Sequence, residues 1–365
     1  MEDRKMKKKV LLVVGLILSM ALVLAACGSS SSSSSSSSGS SDAKSIADQG
    51  DITWTYAHTG RNGDAIDQYA KLLKKNMEAE FPNVTLKLSG NAKLGNESQR
   101  MELVHDDGVE FAQFLFLELG SSVPAAEGLG INYILPQDSD KLTYVVQDGK
   151  AIKYLNGLLA DKGYQALAWY PESYSCITSN KKLTTDMSSL KGQKIRAMNS
   201  SIDVANAEGF GASAQTLDYS EIYSGLQLGT VDGQMNPPSI IAANKYYEVQ
   251  KYMLLTHHEC VLDVSCVSPS LWKSLSDSDK EKIQEVFNKT NAEAIKDRDK
   301  TDKEALETIK KAKPDMKIIE MSDDQINTWA KTAGEKAKKV YLKDAGEDGQ
   351  KFLDLLQEDI DHENK

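Results

Sequence analysis

Residues 272–313 contain neither glycine nor proline, and this stretch sets the scale of the fold. Ser278-Asp279-Lys280-Glu281 has the form of a capping box near its start, and Pro314 ends it. Ile283, Val286, Phe287, Thr290, Ala294 and Ile295 keep one helical face. The pattern far exceeds an ordinary helix of about 8–20 residues, and its heptad character is too weak for a coiled coil. Within one domain such a helix would protrude; across two lobes it serves as a shared spine.

The preceding chain alternates strand and helix patterns. Ile52, Trp54 and Tyr56 share one face of an alternating run, and Val84, Leu86 and Leu88 form another. Between them residues 64–81 place Ile66, Tyr69, Leu72, Leu73 and Met77 at helical spacing, up to Phe81-Pro82. A strand, a helix and a strand in that order predict a βαβ unit and an α/β fold with parallel pairing. Residues 99–105, 142–162, 205–209 and 220–228 read as helices, the last stopped by Gly229. Residues 111–119, 166–170, 175–179, 193–198, 260–268 and 316–319 read as strands, and 323–342 and 350–360 as closing helices.

The first residues decide the compartment. Arg4, Lys5, Lys7, Lys8 and Lys9 precede an apolar run at 10–26, broken only by Gly15 and Ser19. The run is slightly short for a spanning helix and closes on small residues, as a secretory signal peptide does; an uncleaved anchor is the alternative. Leu24-Ala25-Ala26-Cys27 resembles a lipobox, which makes Cys27 the expected lipidated residue. A serine tract follows. It has no apolar surface to offset its ordering entropy, and reads as a leash to residue 43. The expected location is the outer face of the cytoplasmic membrane. Removing residues 1–26 deletes five basic and two acidic side chains from a chain of net charge −10, leaving about −13. That balance excludes nucleic acid as a partner and requires any anion site to be a local basic spot. Cys176, Cys260 and Cys266 remain, an odd number; on one strand Cys260 and Cys266 stand roughly 20 Å apart, so buried, unpaired thiols are expected.

Residues 191–252 carry a family pattern. Lys191-Gly192-Gln193-Lys194-Ile195-Arg196 is followed by Ser220-Glu221-Ile222-Tyr223-Ser224-Gly225-Leu226-Gln227. Gly229-Thr230-Val231-Asp232-Gly233-Gln234-Met235-Asn236-Pro237 comes next, then Tyr246-Tyr247-Glu248-Val249-Gln250-Lys251-Tyr252, and Leu255-Thr256 with His258. In this order they resemble the solute-binding proteins of TRAP transporters, of the dicarboxylate-binding type. Leu94-Gly95, Gly108, Val123-Pro124 and residues 129–134 add weaker marks, with Asn132 where a proline is usual. The resemblance implies a two-lobe periplasmic-binding-protein-like fold, an inter-lobe cleft and a spine helix. Lobe 1 is expected at 44–172 plus about 262–300, and lobe 2 at 173–261 plus about 301–365.

It also implies a receptor that captures a small organic carboxylate and delivers it to TRAP permease subunits in the membrane, with no cofactor, no metal and no catalysis. The arginine of the Lys-Ile-Arg strand, here Arg196, would bind the carboxylate; Asn236 would add a polar contact and Tyr219 would line the pocket. The chemistry of the residues agrees, since a guanidinium matches a carboxylate with two parallel hydrogen bonds and stays charged when desolvated. Outside that resemblance Arg196 could equally be an ion-pair residue, Asn236 a turn residue and Tyr219 core. Many relatives carry a second arginine where this chain has Ser175, which leaves a monocarboxylate, a sugar acid or a more polar solute open. Trp169 and Glu172 lie beside that position, with Glu172 able to accept from hydroxyls or an amine; a buried Trp169-Tyr170 pair with a solvated Glu172 is the plainer alternative. His58 follows the first strand, where α/β sites cluster, and Gln113 and Glu118 are weaker candidates. An ABC-class or sensor protein would have similar lobes. An anchored hydrolase is a further alternative: neither a Gly-x-Ser-x-Gly elbow nor a zinc spacing is present, but a paired-carboxylate site stays open among the many acidic residues.

Overall fold

The computed structural model describes residues 44–61 and 63–362. The expected signal peptide at 1–26, the expected lipidation site Cys27 and the expected linker through 43 lie outside the described residues. Among the described residues the strands are β1 (Ile52–Ala57), β2 (Val84–Ser89), β3 (Phe111–Leu115), β4 (Gln165–Tyr174), β5 (Cys176–Ser179) and β6 (Lys194–Ala197), then β7 (Ser213–Thr216), β8 (Gly233–Asn236), β9 (Tyr252–Leu255), β10 (Cys260–Val267) and β11 (Lys317–Glu320). The helices are α1 (Ala65–Glu80), α2 (Glu97–His105), α3 (Ser139–Gln147), α4 (Lys150–Ala160), α5 (Ser201–Gly209) and α6 (Ile222–Leu228), then α7 (Pro238–Ala243), α8 (Pro269–Ser274), α9 (Asp277–Ala312), α10 (Asp323–Ala333) and α11 (Glu335–Ile360).

The strands form two sheets, ordered β2-β1-β3-β10-β4 and β11-β9-β5-β8-β6-β7. β1 pairs with β2 and β3 in parallel, whereas β10 runs antiparallel between β3 and β4. The βαβ unit predicted for residues 52–89 is present. Asp64 opens α1 by accepting from the Asp67 amide at 2.9 Å, and Tyr69, Ala70, Leu73 and Met77 bury the inner face.

The chain passes between the sheets at two short connections. β4 becomes β5 through Ser175 alone, and β9 becomes β10 through residues 256–259. The connections hold one another: the Ser175 amide donates to the Glu259 carbonyl at 2.7 Å, and the His258 amide to the Ser175 carbonyl at 3.4 Å. α9 is the third link. At 1.5 Å per residue its 36 residues reach about 54 Å. Ile283, Val286, Phe287 and Ala294 pack with Trp54, Tyr56 and Leu86 of the first sheet. Ile309 and Leu306 pack with Ile240, Ile241 and Met253 of the second half. One helix therefore contributes to both cores.

Several boundaries differ from expectation for local reasons. The glycine-free stretch is interrupted at Leu275–Ser276, where both residues are extended. Ser276, not Ser278, caps α9 by accepting from the Asp279 amide at 3.1 Å; Asp279 is instead held by the Ile46 amide at 3.0 Å. The helix expected over 142–162 divides between α3 and α4, because the Asp359 carboxylate caps the start of α4 at the Lys150 and Ala151 amides. The strand expected over 111–119 stops at Leu115, where the β3–β10 ladder ends at Asp263, and a 3-10 turn follows. The tail assigned to lobe 2 divides as well. β11 joins the second sheet, and Trp329 of α10 packs with Ile177 and Leu254, but Tyr341, Phe352 and Leu356 of α11 pack with Phe114 and Val264 of the first sheet. Cys176, Cys260 and Cys266 are buried and unpaired.

Candidate functional site

A cavity of about 800 Å³ opens between the two sheets. Arg196, Tyr219, Asn236 and Glu172 line it, together with Ser175 and Glu118. The expected residues Trp169 and His58 do not line it. Trp169 sits on the opposite face of β4 in the first core, its indole N–H donating to Asn156 at 2.8 Å. His58 is buried under Gly90, which leaves so little room that a Cβ there would lie 2.6 Å from the imidazole. Burial pushes His58 down to about 4. Gln113 is also outside the lining and instead donates to Asp263 beneath it.

The second-sheet wall explains the sequence pattern of residues 229–237. Gly229 ends α6 in the left-handed region at φ 72°. Asp232 accepts from the Lys194 amide at 2.7 Å and pairs with Lys181, fixing the start of β6. Gly233 passes so close to β5 that a Cβ would meet the Thr178 carbonyl at 2.0 Å. These constraints set β6 beside β8 and bring Arg196 and Asn236 to one cavity. Arg196 is only 5% exposed, and its Nε donates to the Leu217 carbonyl at 3.0 Å. Asn236 donates from its side-chain amide to Gln234, and the Tyr219 hydroxyl accepts from Asn244 at 2.8 Å.

Arg196 does not face ligand space alone. Asp203 and Glu259, both buried and both lining the cavity, sense its charge. Burial raises both carboxyls; the Met198 amide and Arg196 oppose the rise at Asp203, and Arg196 opposes it at Glu259. Arg61, on the loop after β1, reaches the cavity from the other half and stacks its guanidinium 5.6 Å from the Tyr219 ring centre. It brings a second guanidinium into the cavity that Ser175 also lines.

The first-sheet wall is acidic. β4 and β10 lose register between Val261 and Leu262: Val261 faces Ser173, Leu262 faces Pro171, and Glu172 is left without a partner. Alternation from Trp169, which packs in the first core, sets Glu172 on the opposite face of β4, where it lines the cavity at the bulge. Asp263 follows on β10, on the face away from core residues Leu262 and Val264. Burial is the main cause that raises Glu172, and the neighbouring Asp263 charge adds to it. Burial likewise brings Asp263 up to about 7, against hydrogen bonds from Glu172 and Gln113. The sequence signal for Asp263 was a charged residue inside the apolar run 261–264, which marks a special environment.

The chain matches the family model described as "Bacterial extracellular solute-binding protein, family 7" over residues 56–344. It is 28% identical over 308 residues to the ectoine-binding periplasmic protein TeaA of Halomonas elongata, covering 84% of this chain and 89% of that one. A solved structure of the ectoine-binding protein from that transporter superposes with a TM-score of 0.78 at 27% identity, over 84% of this chain and 99% of the other. A TRAP periplasmic solute-binding protein from Desulfovibrio salexigens with bound orotic acid gives 0.78 at 29% identity, over 84% and 98%.

Proposed function

Because the chain belongs to the family 7 bacterial extracellular solute-binding proteins, the receptors of TRAP-type transporters for small organic acids, we propose that its ligand's carboxylate docks on Arg196. The observation that carries this reading is the placement of a nearly buried guanidinium on a strand end, inside a cavity walled by two sheets. A fixed planar fork in a water-poor cleft favours a carboxylate by geometry as well as charge. Asn236 and Tyr219 line the same wall and shape the guest's outline; Arg61 approaches from the opposite wall. Ligand binding without turnover is expected, with transfer to the membrane permease as the outcome.

A thermal-shift screen of organic acids on the purified protein tests this reading. The expected result is a saturable rise in melting temperature with the acid recovered unchanged. Chemical conversion of the bound acid would replace the receptor reading with an enzyme. A second element of the proposal is anchoring through Cys27, supported by the basic start, apolar run, lipobox-like tetrapeptide and serine leash. Cys27→Ser is expected to move the protein from the membrane pellet to the soluble fraction after expression with its own leader. Retention of the variant in the pellet would remove Cys27 as the anchor.

A further inference from the structure

We propose that the solute carries a cationic nitrogen with N–H donors beside its carboxylate, and that Glu172 and Asp263 receive that end. The inference rests on the carboxylate reading of Arg196 and specifies what lies at the other side of the guest. The cavity lining holds eight carboxyl side chains against two guanidinium groups, Arg61 and Arg196. An exclusively anionic guest would meet a wall of its own sign. A guest with both signs meets Arg196 on the second-sheet wall and carboxyls on the first.

Two of those carboxyls have the geometry of a built subsite. Glu172 is 4% exposed and Asp263 is 2% exposed, and both line the cavity. Glu172 stands at a bulge of β4, skipped between the partners of Val261 and Leu262. Glu172 Oε2 and Asp263 Oδ2 receive no hydrogen bond from a donor side chain or amide. Gln113 donates to the other oxygen of Asp263, which fixes that carboxyl's plane. The two carboxyls are within hydrogen-bond reach of each other. An ionised buried pair at that distance repels strongly, so the empty site holds a proton between them. An ammonium or amidinium N–H offers the same bridge with a full charge, and the proton then leaves to the solvent.

The surroundings favour this exchange. Asp64 ahead of α1 and Asp302 on α9 add negative charge around the pair, and Arg100 on α2 adds a positive one. Arg61 lies beside Asp64. Tyr170, Tyr219 and Cys260 also face the pair, and burial keeps each of them in its neutral form. Arg61 answers Asp64 and Arg100 acts on Asp263, so the charge left for a guest to neutralise is that of the carboxyl pair itself, at the open oxygens Glu172 Oε2 and Asp263 Oδ2.

Proton release gives the test a readout that packing alone does not move. Ectoine, proline and γ-aminobutyrate serve as probes with a cationic nitrogen; succinate, orotate and galacturonate serve as carboxylates without one. Titration calorimetry near pH 7 in two buffers of different ionisation enthalpy counts the protons exchanged. The tightest binder is expected among the first three, with release approaching one proton. Its affinity is expected to rise up to about tenfold per pH unit between pH 6 and 8, because the bound state favours the ionised pair. Glu172→Gln keeps the shape of the side chain, and is expected to weaken that binder tenfold or more and abolish the proton release. Asp263→Asn is expected to do the same, and a cooperative melt at or above the parent's temperature shows that both variants fold. A tightest binder without a cationic nitrogen, no binding by any of the three, or binding with no proton released overturns the proposal. The carboxylate reading fails separately, when Arg196→Ala leaves the affinity of every bound probe unchanged.

Discussion

Replacing Arg196 with alanine is expected to weaken capture of an organic carboxylate by about 2–5 kcal/mol, roughly 30- to 5,000-fold, because a buried charge pair loses one partner. An arginine reserved for a ligand alone would be removable without harm to the fold. Its surroundings say otherwise. Arg196 is nearly buried, donates to the Leu217 carbonyl, and lowers the cost of holding Asp203 and Glu259 in the same cavity wall. Arg196→Ala should therefore also lower the melting temperature. Arg196→Lys separates the two effects: it keeps the positive charge near Asp203 and Glu259 but loses the planar fork. Near-parental stability with a large loss of affinity is the expected result for lysine. Full affinity in the lysine variant would show that charge, not bidentate geometry, holds the acid.

Asp263→Asn is expected to stabilise the empty protein by about 4 kcal/mol at pH 8 and by less than half of that at pH 5. The carboxyl moves from an ordinary value of 3.8 to about 7 on folding, mainly by burial. Between those values the folded state holds a proton that the unfolded chain has released, so stability falls as pH rises through that window. The amide removes this loss, and its oxygen still accepts from Gln113. Two histidines carry the opposite slope. Burial lowers His58 to about 4 and His258 to about 3, so each stays neutral in the fold while the unfolded chain takes up a proton. Their contribution falls away as pH drops below 6.5 toward those values. Melting curves of parent and Asp263→Asn across pH 5–8 check the prediction. Equal slopes in the two proteins would mean that the Asp263 carboxyl is ionised in the fold throughout the range. A gain in stability joined to a loss of ligand is the pattern of a residue kept for binding rather than for folding.

Much of the architecture was legible in the sequence because hydrophobic spacing and chain punctuation act locally. The β1-α1-β2 unit, the length of the spine and the stop at Gly229 follow from residues within a few positions of each other. The four-residue strands β7, β8 and β9 were harder, since they are too short to show alternation and are held by partners distant in sequence. At the cavity, Arg196, Asn236 and Tyr219 were singled out through the pattern of residues 191–252, and all three line it. Trp169 was misassigned because it stands three residues from Glu172 on β4: alternation puts the two on opposite faces, and Trp169 faces the core. Bulges depend on the partner strand, so nothing near Glu172 announces one. His58 failed for a different reason, as its ring fills the space over Gly90 instead of the opening. Glu259 reaches the wall of Arg196 only when the second connection folds back on Ser175, and Asp203 joins it from the start of α5.

The laced pair of connections at Ser175 and residues 256–259 also restricts how the jaws can part. Two straps tied to each other bend easily about one common axis and resist sliding or twisting apart, and the long helix must flex in step with them. Access is thereby reduced to a single swing. A guest large enough to prop that swing ajar forfeits the dry contact with Arg196, so the fold measures size at the pivot before any side chain at the rim takes part.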